Sequence, residues 1–516
     1  MKRKLVLLFL VFSLASAAQQ PIDVQHYKFE IEIGDGSDVI NGKAFITTRF
    51  LDAASQVIFN LASVEEDKGM QTFAVLESGR PVQFIHRNNE LRIVTNANKD
   101  EVKTFEVQYM GKPKDGLIIS KNKYGERTFF ADNWPNRAQH WLPCHDVPSD
   151  KASVEFIVFS PLHYKVISNG LLQQEKQTGK TKMTHWKEEV PVPTKVMVIG
   201  AADFAVARVD SAYKLPVTAW VYKQDSAKGV FDYALADDVL RFFENYVGPY
   251  PYKKLANVQS KTIFGGMENA NAIFYAENTV TGDGRSEALI AHEIAHQWFG
   301  NSATEKDFSH LWLSEGFATY LTHLYIEHKY GVDSFRKRME EDRHEVIAFA
   351  RQSKQAVVDP ASEYMDLLNA NSYQKGGWVL HMLRQEVGDK FFREIIRSYY
   401  NQYKFSNADT KDFQRVAEAV SGKDLDWFFN QWLYQPGVPE LKIKTKQEGD
   451  ELKIEIEQER TAFRLNLPLV LTAPNGTVTR ELIPVTGKET KYKIKGKGPY
   501  KVAIDPNKTV LYAEKK

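Results

Sequence analysis

Ala291-His292-Glu293-Ile294-Ala295-His296-Gln297-Trp298 decides how the chain is read. On a helix, residues four apart lie about 40° from each other around the axis, so His292 and His296 share a face one turn apart. Two imidazoles placed this way bind one zinc ion from the same side. Glu293 is rotated by about 100° and reaches a water beside the metal without ligating the metal itself. A catalytic zinc takes three protein ligands and keeps one position open, so a third ligand is sought downstream. Glu315 in Leu311-Trp312-Leu313-Ser314-Glu315-Gly316-Phe317-Ala318 is the candidate. The interval lets the first helix end and a second begin, with Ser314 as its cap and Glu315 in its first turn.

Composition sets the frame. The chain has 516 residues, 43% hydrophobic and 26% charged, with a formal net charge of +1. This describes a globular protein of about three domains, with no basic excess that would point to nucleic acid. Met1-Lys2-Arg3-Lys4, an apolar run over residues 5–14 and Ala15-Ser16-Ala17-Ala18 follow the order of a secretory signal. Cleavage after Ala17 or Ala18 predicts an exported protein, periplasmic or extracellular, with no stable membrane insertion once the signal is removed. A retained anchor is the other reading, although the run is shorter than the roughly 20 residues that span a bilayer. Cys144 is the sole cysteine, so no intrachain disulfide forms, and it reads as a packed core residue.

Alternating apolar residues begin at Tyr27, Phe29, Ile31 and Ile33. They return at residues 56–60, 91–95, 104–109, 153–159 and 194–199, separated by turn residues. No helical pattern precedes about residue 225. Helical spacing then dominates, over 231–247, 287–299, 315–330, 332–352, 375–387, 390–400, 410–420 and 425–432. Alternation resumes after Gln435-Pro436-Gly437-Val438-Pro439. These shifts predict an α+β multidomain fold. Residues 1–18 form a signal, 19–224 an N-terminal β-sandwich-like domain, 225–436 a helical zinc-bearing catalytic domain and 437–516 a small C-terminal β-sandwich.

His292-Glu293-x-x-His296 followed by Glu315 in Trp312-Leu313-Ser314-Glu315-Gly316-Phe317-Ala318 closely resembles the gluzincin aminopeptidases of the M1 family. Gly265-Gly266-Met267-Glu268-Asn269 resembles that family's exopeptidase signature, and Tyr373-Gln374-Lys375-Gly376 its catalytic tyrosine segment. Trp427 through Pro439 resembles the end of its catalytic domain. The resemblance implies a thermolysin-like catalytic domain with one zinc per chain on His292, His296 and Glu315. It implies peptide substrates, Glu293 as general base and Tyr373 as donor to the developing oxyanion. An aminopeptidase must also recognise a free α-ammonium, which requires a carboxylate near the zinc but not bound to it. Glu268 fits that need, while Gly265 and Gly266 let the backbone run close to an extended substrate.

Two departures and several weaker candidates stand beside this reading. Family members carry a Gln or Glu shortly before a segment like Arg137-Ala138-Gln139-His140, where this chain has Asp132-Asn133-Trp134-Pro135-Asn136. The last eighty residues are strand-like where many relatives have a helical domain. This predicts a more open active site, with Glu315 and Tyr373 accessible. His323, His328 and His381 read as packing or surface residues, and Arg464 and Lys306 as cations with no positional argument for meeting a peptide carboxylate. An epoxide-hydrolase-type or bifunctional member, an inactive peptide-binding scaffold and an endopeptidase are the competing functions. The presence of the full set His292, His296, Glu315, Glu293 and Tyr373 weighs against the scaffold.

Overall fold

The computed structural model describes residues 21–210 and 215–515; the segment read as a signal, residues 1–18, lies outside them. The strand Ile22–Glu32 buries alternate side chains, as its sequence period requires. It pairs in parallel with Lys151–Pro161 and antiparallel with Ile40–Phe50 at the centre of an eight-stranded sheet. A three-stranded sheet of Ala54–Asn60, Glu90–Ala97 and Phe84–Arg87 packs against it, with Phe59 edge-on to Phe105 at 6.1 Å. Cys144 is fully buried here. The strand expected over 194–199 is instead a single turn of 3₁₀ helix, Thr194–Val196, followed by a strand at Ile199–Ala202. Pro193 immediately before it donates no backbone hydrogen bond, so the ladder breaks there.

A five-stranded sheet joins the β-rich and helical parts. Its order is Phe204–Arg208, Val217–Tyr222, Leu255–Ser260, Ala272–Ala276 and Gly266–Met267. Two of these strands precede residue 224 and three follow it, so the sheet runs across the division expected from composition. Gly266–Met267 is the edge strand, antiparallel to Ala272–Ala276.

The helices follow. The pattern over 231–247 is two helices, α1 (Ser226–Tyr233) and α2 (Leu235–Tyr246). The zinc-type helix α3 (Glu287–Ala295) is shorter than predicted, with His296 at its C-cap. The next helix, α4 (Trp312–Tyr330), is buried continuously from Trp312 through Ile326. Such a helix has no solvent face and serves as the centre of its domain. Helix α5 (Val332–Gln352) and helix α6 (Gly376–Val387) pack on it. A single π turn, Asn371–Lys375, leads into α6. The C-terminal region forms two sheets of four and three strands, with Leu441, Ile454, Ile456, Leu467, Leu469 and Ile483 buried between them. No helix among the described residues is long and apolar enough to cross a membrane.

Two glycines set the α4–α6 contact. A Cβ on Gly316 would lie 2.8 Å from the Gly376 Cα, and one on Gly376 would lie 2.9 Å from the Gly316 Cα. Neither obstacle is a movable side chain, so any larger residue forces the helices apart. Gly376→Ala is expected to destabilise the protein by about 1–3 kcal/mol, read as a lower midpoint in urea unfolding.

Candidate active site

The side chains of His292, His296 and Glu315 converge. His292 Nε2 lies 3.2 Å from Glu315 Oε2, His296 Nε2 lies 3.2 Å from the same oxygen, and the two Nε2 atoms are 3.1 Å apart. Ligand atoms about 2.0–2.1 Å from a tetrahedral zinc lie about 3.3–3.4 Å from each other. The triangle therefore matches one face of such a coordination shell and leaves the fourth corner open. No other group of three or more metal-ligating side chains occurs among the described residues. Its electrostatics also suit a cation. Burial works to lower the pKa of His296, but the Glu315 carboxylate outweighs it and raises it to about 10, so the surroundings favour positive charge.

The supports of this triangle are contacts that sequence spacing did not indicate. Ser314 was expected to cap α4 but is the third residue inside it, and the cap is Leu311. Its hydroxyl instead meets His296 Nδ1 at 3.0 Å, beside the Phe299 carbonyl at 3.2 Å. Occupying Nδ1 turns Nε2 toward the other ligands. Gly300, at φ +115°, makes room, because a Cβ there would lie 2.3 Å from the Ser314 Oγ.

The edge-strand motif sits against α3. The backbone carbonyl of Glu268 accepts hydrogen bonds from Gln297 Nε2 at 2.8 Å and Asn301 Nδ2 at 2.6 Å. Gln297 Oε1 also accepts from the Asn271 amide. The residue following His296 thus fixes the strand that carries Glu268. A Cβ on Gly266 would lie 2.3 Å from Glu293 Oε1, so this glycine leaves space for the general-base candidate itself. Gly265 shows no such need, since the nearest atom to its Cβ position is 4.0 Å away.

A cavity of about 450 Å³ brings these groups together. Gly265, Gly266, Met267, Glu268, His292, Glu293, His296, Glu315 and Tyr373 all line it. Asn269, expected to bind substrate, is fully buried behind it and is not part of the lining. The expected accessibility of Glu315 is also not found: Glu315 is 5% exposed and Tyr373 is half-buried. The cause is local, because Glu315 lies in the first turn of a helix that is buried continuously from Trp312 through Ile326.

Tyr373 lies on the π turn before α6, its ring stacked 6.0 Å from that of His292 at 15°. Burial pushes its phenol well up, reinforced by Glu315, Glu268 and Glu293, so it stays protonated and able to donate. Burial likewise pushes the Glu293 carboxyl up, opposed by His296 and reinforced by Glu268 and Glu315. Lys375 faces away from the cavity. Its buried ammonium donates to the Gly437 carbonyl at 2.9 Å, tying the catalytic tyrosine segment to the linker, and burial lowers its pKa to about 7. Asp132, in the segment where a Gln or Glu was sought, binds Arg137, Thr262 Oγ1 and the Ile263 amide. Trp134 of that segment lines the cavity instead. His381 is packed between Tyr320 and the Lys508 carbonyl, and His328 stacks on Phe242.

A buried His-His-Glu triangle with an adjoining carboxylate on a sheet edge defines a metallopeptidase-type centre. The profile of the peptidase M1 N-terminal domain matches residues 23–196 and that of the peptidase family M1 domain matches residues 231–432, and the chain belongs to this family. Among curated relatives, aminopeptidase M1-C of Oryza sativa subsp. japonica is 30% identical over 338 residues, covering 62% of this chain and 38% of the relative. Probable aminopeptidase 2 of Sulfurisphaera tokodaii is 28% identical over 422 residues, covering 78% of this chain and 53% of the relative. The chain thus spans between about two fifths and a half of these relatives' length. The solved structure of Legionella pneumophila aminopeptidase A in complex with aspartic acid superposes with a TM-score of 0.84 at 16% identity, over 97% of this chain and 60% of that one. An M1 zinc metallopeptidase from Deinococcus radiodurans gives 0.70 at 22% identity, over 80% and 94%. At these identities the two structures establish the fold.

Ser314→Ala removes a partner of a ligand imidazole. Zinc affinity is expected to fall about 10- to 100-fold, measured by competition with a chelator.

Proposed function

We propose that this protein is a zinc aminopeptidase that releases N-terminal residues from peptides, with one zinc per chain. The observation that carries the reading is Glu268, a 6%-exposed carboxylate that lines the cavity beside the triangle without joining it. Its charge acts on His292, Glu293, His296 and Tyr373 alike. A fixed negative charge beside a scissile bond selects substrates with a free ammonium one residue away.

The chain's own groups account for the remaining roles. His292, His296 and Glu315 would hold the zinc, which when bound polarises a carbonyl and a water as a Lewis acid. Glu293 accepts a proton from the attacking water and delivers it to the leaving amine. Tyr373 donates its phenolic hydrogen to the oxygen on which negative charge develops. The edge strand Gly266–Met267 has an unpaired side, against which an extended peptide adds as a further strand.

The basic, apolar and small-residue order of residues 1–18 supports export to the periplasm or beyond as part of this reading. N-terminal sequencing of the mature protein tests it; a chain still beginning at Met1 would refute cleavage.

Activity on aminoacyl anilides is expected to disappear with a zinc chelator and return on adding zinc. Acetylating the substrate N-terminus is expected to abolish cleavage, whereas an endopeptidase would tolerate it. Glu268→Ala is expected to lower kcat/KM about 10- to 100-fold; wild-type-like anilide hydrolysis by this variant would falsify the assignment. Glu293→Gln is expected to lower kcat by about 10²–10⁴-fold while zinc stays bound.

A further inference from the structure

One charged group in the cavity has no task in this scheme. Arg338, in the second turn of α5, lines the same cavity as the His-His-Glu triangle and is half-buried. Its guanidinium makes no ion pair or hydrogen bond among the described residues. On a helix its ordinary partner would be Asp342, four residues on. Asp342 also lines the cavity, but it turns to α4 and meets His323 Nε2 at 2.7 Å. The carboxylate that would neutralise Arg338 is committed elsewhere.

Position narrows what the free cation meets. Helix α4 carries Glu315 in its first turn and Thr319, Thr322 and His323 further along the cavity wall. At 1.5 Å per residue, His323 lies about 12 Å along the helix from Glu315. Arg338 joins this wall through the His323–Asp342 pair. Glu268, which claims the amino end, is on the sheet edge, so the α4–α5 wall is left for the portion of the peptide that departs. An extended chain advances at most about 3.3–3.6 Å per residue, so residues two or three beyond the scissile bond reach this wall. The other cations considered from sequence are occupied. Lys306 is paired with Asp409 and Asp412, and Arg464 stacks on Trp427 at 4.3 Å.

We infer that Arg338 binds a carboxylate on the leaving part of the substrate, two or three residues past the bond that is cut. A guanidinium presents a planar fork of donors that matches a carboxylate in two parallel hydrogen bonds. The carboxylate is either the C-terminus of a tri- or tetrapeptide or an Asp or Glu side chain at that place. The inference rests on the aminopeptidase reading and names its preferred substrates as short free-acid or acidic peptides.

The test uses the zinc-loaded full chain and three substrates of one length: trialanine, its C-terminal amide, and the same amide with aspartate at the third residue. A tetrapeptide set repeats it. Wild type is expected to favour a carboxylate-bearing peptide over the plain amide by tenfold or more, mainly through KM. Arg338→Ala is expected to bring that ratio near one, and Arg338→Lys to retain part of it. Because the ratio is taken within each variant, partial misfolding cancels. Preference for the free acid alone assigns the terminal carboxylate, and equal preference for the aspartyl amide assigns the side chain; both support the inference. A ratio unchanged in Arg338→Ala, or a wild type indifferent to all carboxylates, overturns it and leaves the aminopeptidase reading standing. Wild type that cleaves no substrate with a free amine overturns that reading itself.

Discussion

The backbone contact between Gly316 and Gly376 is the constraint on which the active-site geometry depends. Helices usually pack at interaxial distances of about 8–10 Å, set by the side chains between them. Here no side chain intervenes. Glu315 directly precedes one glycine and Tyr373 lies three residues before the other, so the ligand-to-tyrosine distance is set by the closeness of two backbones. The π turn Asn371–Lys375 then aims Tyr373 at the triangle, a common use of such a bulge. Lys375, buried on the far side, holds the turn against the linker to the C-terminal sheets.

The N-terminal β domain is part of the same device. After α3 the chain passes through Gly300, Asn301 and Ser302, and this loop is gripped from outside. Lys151 donates to the carbonyls of Asn301 and Ser302, and buried Lys195 pairs with buried Glu305. On the other flank, Asn271 is held by Glu188 and Lys254 and hands its amide to Gln297. Buried charges lose much of their attraction to desolvation, so such pairs contribute little net stability. Their consequence here is positional: they connect strands of the β domain to the backbone around His296 and Glu268.

Much of this was legible from the sequence. Strand and helix periodicities located the β-rich ends and the helical middle, because burial on one face imprints itself directly on spacing. The His292–His296 pair was legible too, since four-residue spacing on a helix is itself a geometric statement; Glu315, on a separate helix, was reached through the resemblance of its segment to the family motif. The errors have a common origin. Ser314 resembles a cap, but α4 starts three residues earlier because Trp312 and Leu313 are pulled into the core. Asn269 lies in a motif with four cavity residues, yet a strand alternates its faces and the chain turns away after Glu268. The accessibility expected of Glu315 ignored that α4 has no exposed face over its first four turns.

What the sequence by itself determined is the chemistry: two imidazoles and a carboxylate for a metal, Glu293 beside them, and a motif bearing Glu268. For His292, Glu293 and His296 these are properties of residue type and of spacing within one helix; for Glu315 and Glu268 they are properties of short motifs that resemble those of the family. Only the tertiary structure decided that Gln297 and Asn301 fix the Glu268 backbone, that Ser314 orients His296, and that Arg338 is left unpaired because Asp342 turns to His323. Each of these is a contact between elements distant in the chain, where side-chain direction and packing choose one partner among many and no periodicity records the choice.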